Sequence, residues 1–238
     1  MGGNMMGGAP NNNPDGSGDF GFDNLRLNGG FTFSSFDDST AGSSGHFREY
    51  SLSLTADLTE VDTLNIGLSS SRYETGGSNH ILARTQGISL SWIHQLTDNY
   101  GVGAFTMLND VDIEVINGNT YSYGYGLLFT TFHSFKHFNL SSATAIAHTD
   151  FDTGYDQFIM SAWTISKQWT DKCGSYITLT FFDSFKDDPD GDPTYGMWEV
   201  GGTYLINDNL SLSLGFQRTE FLNNYSDNTI LLNVGYLF

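Results

Sequence analysis

The sequence contains no long hydrophobic run, and no stretch of it approaches the roughly eighteen apolar residues that a membrane-spanning helix needs. Charged residues are scarce, at 15% of the chain against about 25% in typical soluble domains. The single cysteine, Cys173, excludes an internal disulfide. Basic residues number only 9 against 27 acidic ones, and the resulting net charge of -18 argues against nucleic acid as a partner. These absences exclude a helical membrane protein and a nucleic-acid-binding module.

What the sequence does contain is a regular alternation of apolar and polar side chains, which is typical of β-strands. In residues 228–238 the polar or small face carries Asn233 and Gly235. The apolar face of this segment carries Ile230, Leu232, Val234, Tyr236 and Phe238. Strands of about ten alternating residues suit a tilted strand that crosses a membrane. The last segment of the chain is therefore predicted to be a membrane-spanning strand.

The same pattern recurs about twelve times along the chain. Predicted strands cover residues 25–36, 47–58, 63–73, 83–96, 100–114, 120–135, 138–149, 157–169, 175–185, 194–205, 209–221 and 228–238. Apolar side chains would face lipid, while Ser, Thr, Gly, Ala and Asn would line the interior and leave space for a pore. The sequence predicts an all-β, membrane-spanning, antiparallel up-and-down β-barrel of about twelve strands, with ten or fourteen as alternatives.

The connections between these strands alternate in kind. Short turns are predicted at every second junction, at 60–62, 97–99, 136–137, 170–174 and 206–209. The intervening junctions are longer or richer in Gly and Asp, at 37–46, 74–80, 116–119, 150–156, 185–192 and 222–227. This asymmetry is typical of the periplasmic turns and extracellular loops of bacterial barrels. With twelve strands both termini fall on the short-turn side.

Residues 1–24 differ from the rest of the chain. They form a leader rich in Gly, Asn and Pro, without periodicity, and the barrel occupies residues 25–238. The leader is predicted to be either a flexible linker or a segment that fills the lumen. Fully extended, it would reach about 80 Å, which exceeds the roughly 25 Å apolar band of a barrel.

Several segments together resemble a known family. They are EYSLSLTADLTEVDTLNIGLSSSRYETG at 49–76, WIHQLTDNYGVGAF at 92–105, the Gly-rich leader and the carboxy-terminal aromatic residue. With about twelve strands, this combination resembles the β-domains of autotransporters, the translocation units that follow a secreted passenger. The resemblance implies a pore in the outer membrane of a Gram-negative bacterium, with a possible upstream passenger. It also implies that the barrel assembly machinery reads Tyr236 and Phe238 as an assembly signal.

Two other functions remain open for such a barrel. One is a passive, weakly cation-selective diffusion channel like a porin. The other is a structural or surface-binding barrel subunit of an envelope complex. For any of the three, outer-membrane lipid and lipopolysaccharide are the expected surroundings.

Acidic residues concentrate towards the longer-loop side. The predicted acidic outer rim comprises Asp110, Asp112, Glu114, Asp150, Asp152, Asp187, Asp188, Asp190 and Asp192. Such a rim would attract cations, and it could also bridge to lipopolysaccharide through divalent cations. Asp188, Asp190 and Asp192 alternate around a glycine as Ca²⁺ ligands do, but the loop lacks the later Glu of an EF-hand, so no metal site is predicted. The few charges predicted for the lumen are Arg26, Glu49, Asp57 and Glu199.

Catalysis is not predicted. A barrel hydrolase needs a nucleophile and a base close together at the outer rim. Of the six histidines, only His148, with Asp150 and Asp152 nearby in sequence, falls at that end. This cluster is interpreted as the base of a loop. The sequence therefore predicts neither an enzyme nor a cofactor.

Overall fold

Twelve antiparallel β-strands make up almost all of the residues that the computed structural model describes, which are 25–38, 43–76, 82–113, 118–152, 154–185, 195–221 and 225–238. The strands are β1 (Arg26–Asp38), β2 (Ser43–Asp57), β3 (Asp62–Thr75), β4 (Leu82–Thr97), β5 (Tyr100–Ile113), β6 (Gly118–Ser134), β7 (Asn139–Phe151), β8 (Gly154–Gln168), β9 (Cys173–Ser184), β10 (Tyr195–Leu205), β11 (Leu210–Phe221) and β12 (Tyr225–Leu237). Within these ranges no helix is long and apolar enough to cross a membrane.

Each strand pairs with its neighbours in sequence, and β1 pairs with β12 to close the sheet into an up-and-down barrel. The closing register runs from Arg26 opposite Leu237 to Asp38 opposite Tyr225. Closure leaves no strand edge, so the backbone groups of the wall are satisfied within the sheet, as a bilayer requires. The predicted fold and strand number are confirmed.

The predicted strand boundaries differ from the observed ones by at most four residues. The largest difference is in β2, which begins at Ser43, although the prediction placed its start at residue 47. Several strands extend further towards the loops than predicted because ladder pairing needs only backbone groups, whereas the prediction followed apolar side chains. The connections from β1 to β2, β7 to β8 and β11 to β12 are correspondingly shorter than the sequence suggested, whereas the one from β9 to β10 is longer.

Side-chain direction follows the predicted alternation. On β2, Tyr50 and Leu52 are 60% and 46% exposed and point outwards, whereas Ser51 and Ser53 lie on the inner face. Residues that lie opposite each other on paired strands share a face of the sheet, so the strand register identifies the outward and inward residues of every other strand. The exposed large apolar side chains therefore form the outer surface of the barrel, where a lipid bilayer would cover them.

The two ends of the barrel are distinct. The turn end carries the connections 58–61, 98–99, 135–138, 169–172 and 206–209, together with Leu25 and the carboxy terminus. The loop end carries the other connections. In the orientation usual for bacterial outer-membrane barrels, the turn end faces the periplasm.

Candidate functional site

The candidate site is the lumen, and the charged residues predicted to line it do lie on inward positions. Arg26 on β1 and Asp57 on β2 lie at the turn end, with Nη2 and Oδ2 3.8 Å apart and both side chains 29% exposed. Glu49 lies further along β2 and is 5% exposed. Glu199 lies on β10, three strands away from β1 around the closed sheet.

The turn half of the lumen is lined by hydrogen-bonded polar pairs between adjacent strands. Thr63 Oγ1 donates to Asp57 Oδ1 at 3.0 Å, and Asn65 Nδ2 donates to Thr55 Oγ1 at 3.1 Å. Further hydroxyl pairs on other strands are Thr164 with Thr178 (2.8 Å) and Thr203 with Ser213 (3.0 Å). Such pairs stabilise the wall and present oxygen and nitrogen atoms to whatever occupies the bore.

Tyr176 and Glu199 form the strongest polar contact of this half. Tyr176 Oη on β9 donates a hydrogen bond to Glu199 Oε1 on β10 at 2.6 Å. A hydrogen bond to a carboxylate is shorter and stronger than one between neutral groups. The pair therefore fixes a bulky ring and a charge against one side of the lumen wall.

The loop half of the lumen is different, because it carries an apolar cluster that sequence reasoning missed. Ala147, Phe158 and Met160 are 4%, 4% and 8% exposed, and Phe105 and Phe182 pack against them. The rings of Phe158 and Phe182 lie 4.9 Å apart. The lumen is thus polar near the turn end and partly apolar near the loop end, whereas the sequence predicted an interior dominated by Ser, Thr, Gly, Ala and Asn.

A second aromatic pair also faces inwards near the loop end. Phe36 on β1 and Tyr73 on β3 stack with their centroids 5.1 Å apart and their planes within 2° of parallel. A sequence signal for these groups existed: in β8 the consecutive apolar residues Phe158, Ile159 and Met160 place apolar side chains on both faces of one strand. Such runs interrupt the alternation and mark positions where the lumen is not polar.

The acidic residues of the predicted rim do not line the lumen where the structure describes them. Asp110 and Asp112 alternate with the inward residues of β5 and share the outer face with Leu108, which is 48% exposed. Asp150 shares the outer face of β7 with Ile146. They lie in the loop half, on the outside of the wall. A permeating ion would therefore not pass directly over them.

The remaining acidic positions are less informative. Asp152 Oδ2 accepts a hydrogen bond from the backbone N–H of Tyr121 at 3.2 Å. Glu114, Asp187, Asp188, Asp190 and Asp192 fall outside the described residues. In the part of the chain that is described, no three His, Cys, Asp or Glu side chains come together to hold a metal ion.

His148 lies on the outer surface, among aromatic side chains. Its Nε2 is 3.0 Å from Asp150 Oδ1, and its Nδ1 is 3.2 Å from Gln157 Nε2. Its ring lies 5.3 Å from that of Tyr125 and 5.4 Å from that of Tyr155. This arrangement matches the aromatic girdle of a membrane barrel.

The carboxy-terminal aromatic residues also lie on the outer surface. Tyr236 and Phe238 are 43% and 60% exposed, and their rings meet edge to face at 4.9 Å. The N–H of Phe238 donates to the carbonyl oxygen of Leu25 at 3.0 Å, so the last residue still pairs with the start of the barrel. Both rings are accessible at the turn end.

Comparison with known proteins shows that this chain resembles several solved structures in fold. No family model matches the sequence, and no curated protein matches it significantly. The translocator domain of the autotransporter NalP from Neisseria meningitidis has a TM-score of 0.64 at 13% identity, over 94% of this chain and 90% of that one. The β-domain of the Bordetella autotransporter BrkA has a TM-score of 0.67 at 7% identity, over 90% and 99% of the two chains. An outer-membrane channel from Pseudomonas putida F1 has a TM-score of 0.68 at 11% identity, over 94% and 100%.

The chain is therefore an outer-membrane β-barrel in fold. The resemblance to autotransporter β-domains that the sequence indicated is confirmed at the level of architecture. Translocator domains and channels share this architecture, so the lumen must distinguish their functions.

Proposed function

We propose that this chain is a translocation pore in the bacterial outer membrane, which passes or holds the polypeptide that precedes β1. The observation that carries the proposal is where β1 begins. Leu25 pairs with Phe238 at the turn end, and Arg26, the next residue, already faces the lumen. A polypeptide that precedes β1 therefore joins the barrel at the mouth of its polar half.

The chemistry of that half suits an extended polypeptide. An extended chain presents unpaired backbone N–H and C=O groups, which need hydrogen-bond partners wherever water is sparse. The turn half offers such partners, including Asn65, Thr55 and Glu199. The leader is rich in Gly and Asn, so it is slender and polar. Two of the solved structures with this architecture are described as domains of autotransporters, which supports the same function.

Deletion of residues 1–18 tests the proposal. Single-channel conductance would be measured in planar bilayers for the full chain and for the deletion variant. We expect higher conductance after deletion, because a segment that occupies the bore excludes ions. As a matched control, a variant with residues 1–18 in scrambled order keeps the length and composition, and its conductance should stay near that of the full chain.

A free linker gives a different result. Conductance would be unchanged by the deletion, and a protease added at the turn end would cleave the segment rapidly. That combination would contradict a translocation pore whose leader rests in the lumen.

The apolar cluster of the loop half favours a second candidate, a channel for small apolar or amphipathic solutes. Phe158, Met160 and Phe182 line the bore with buried apolar surface of the kind that binds such molecules. Toluene added to the bilayer chamber should then interrupt the wild-type current. The double variant Phe158→Ala and Phe182→Ala should lose these interruptions. If toluene has no effect on the current and deletion of the leader raises the conductance, the results favour the translocation pore over this channel.

A further inference from the structure

Three arginines form a continuous row on the outer surface of the barrel. Arg48 on β2 lies directly opposite Arg72 on β3 in the ladder, and Arg72 lies directly opposite Arg84 on β4. All three side chains are exposed. Adjacent strands lie about 4.8 Å apart, so the row spans about 10 Å across the wall. We call Arg48, Arg72 and Arg84 the arginine row.

This arrangement of like charges destabilises the isolated barrel. Like charges directly opposite each other on neighbouring strands destabilise a sheet. The chain has only 9 Lys and Arg residues, and 3 of them occupy this row. The concentration of scarce positive charge on one patch of a chain with net charge -18 indicates a negatively charged ligand.

The height of the row limits what that ligand can be. Tyr50, Leu68 and Ile88 lie on the same outer face, two to four residues nearer the turn end, and are 60%, 50% and 49% exposed. These apolar side chains belong to the band that would contact lipid tails. The row therefore lies just beyond the tails on the side of the loop end, at the level of outer-leaflet headgroups.

The neighbours of the row leave it positively charged. Glu74 Oε2 lies 3.2 Å from Arg72 Nη2, and Asp112 lies opposite Arg84 in the ladder. The Arg48 guanidinium lies 5.9 Å from the centre of the Phe33 ring, which supports it without neutralising it. Each guanidinium has five N–H donors, so one carboxylate satisfies only part of its capacity.

We propose that the arginine row binds the phosphate groups of the phosphorylated glycolipid of the outer leaflet. Guanidinium groups bind phosphate through paired, parallel hydrogen bonds, and they do so better than lysine. The contact is direct, unlike the cation-bridged contact with lipopolysaccharide that the acidic rim suggested. It goes beyond the proposed translocation function, because it concerns the outer face of the wall rather than the lumen.

The test uses the full chain refolded in detergent micelles, with lipid A carrying two phosphates as the probe. Native mass spectrometry in the presence of EDTA would measure how much lipid A the barrel retains. We expect wild type to retain lipid A and the triple variant R48Q/R72Q/R84Q to bind it at least tenfold more weakly. The variant R48K/R72K/R84K keeps the charge but loses the paired geometry, so its affinity should lie between the two.

A matched control removes three positive charges from the turn end. The variant K136Q/K167Q/K172Q has the same change in net charge as the arginine variant and should bind lipid A as wild type does. Equal weakening by the lysine variant would overturn the proposal, since it would show attraction by overall charge. Equal binding of dephosphorylated lipid A would also overturn it, as would loss of wild-type binding in EDTA.

Two further outcomes are decisive. The variant R48Q/R72Q/R84Q fails to fold if heated and unheated gel samples of it migrate alike. In that case the lysine variant R48K/R72K/R84K decides alone. If this lysine variant binds lipid A as tightly as wild type does, the result contradicts recognition through paired hydrogen bonds. If the wild-type chain forms dimers that the arginine variant cannot form, and lipid A does not bind, the row is an interface between barrels.

Discussion

Tyr176 covers Gly201 inside the barrel, and the two residues lie directly opposite each other on β9 and β10. A Cβ atom at Gly201 would overlap the tyrosine ring and lie 2.5 Å from Tyr176 Oη and 2.8 Å from the carbonyl oxygen of Leu214. Phe105 covers Gly126 on the neighbouring strand in the same way, where a Cβ atom would lie 2.6 Å from the ring. These aromatic residues pack against bare backbone, which compensates for the missing side chain of the glycine.

The substitution Gly201→Ala should therefore destabilise the barrel. The added methyl group must displace either the Tyr176 ring or the β11 backbone, and overpacking of this kind costs about 1–3 kcal/mol. Urea unfolding in lipid vesicles would measure the loss. Gly29→Ala is the matched control, because a Cβ atom there would meet nothing within 4 Å. Equal stability of the two variants would contradict the packing role of Tyr176.

Tyr176→Phe separates the ring from its hydroxyl group. The ring can still cover Gly201, but Glu199 loses the donor that lies 2.6 Å from its Oε1. Hydrogen bonds to charged groups contribute about 1.5–3 kcal/mol, and a lumen open to water offsets part of the loss. We expect a decrease of about 1 kcal/mol in the free energy of unfolding, measured in the same vesicles. No loss at all would show that water replaces the hydroxyl completely.

The strands and their outward faces could be predicted from the sequence because each depends on local alternation. Tyr50 and Leu52 point outwards whatever their partners are, since lipid selects apolar residues on that face. The arginine row could not be predicted, because it exists only through the register of three strands. The direction of Asp110 was also hard to predict, since polar residues near a strand end occur on both faces of the wall.

Phe238→Ser should reduce assembly of the barrel in the outer membrane of cells. The Phe238 ring is 60% exposed and packs mainly on Tyr236, so it contributes little to the stability of the folded wall. We expect the folded fraction in isolated outer membranes to fall several-fold, as measured by heat-dependent gel migration. Unassisted refolding into vesicles should change little. An equal loss in vesicles would show that Phe238 acts through stability rather than through recognition.

Ion selectivity should depend on the carboxylates inside the lumen and not on those outside it. Glu49 and Glu199 face the bore, whereas Asp110 and Asp112 share the outer face with Leu108. The variant E49Q/E199Q should therefore reduce the cation preference of the pore, because a charge acts on a permeating ion most strongly at short range. The measurement is the reversal potential under a KCl gradient in planar bilayers, at low salt to limit screening.

The variant D110N/D112N is the matched control, since it removes the same number of carboxylates from the outer side of the wall. Its reversal potential should equal that of wild type, because the wall separates these groups from the bore and solvent ions screen them within about 10 Å at 0.1 M salt. If D110N/D112N shifts the reversal potential as far as E49Q/E199Q, the ion path runs close to the loop-end rim. The acidic rim would then govern selectivity despite facing outwards.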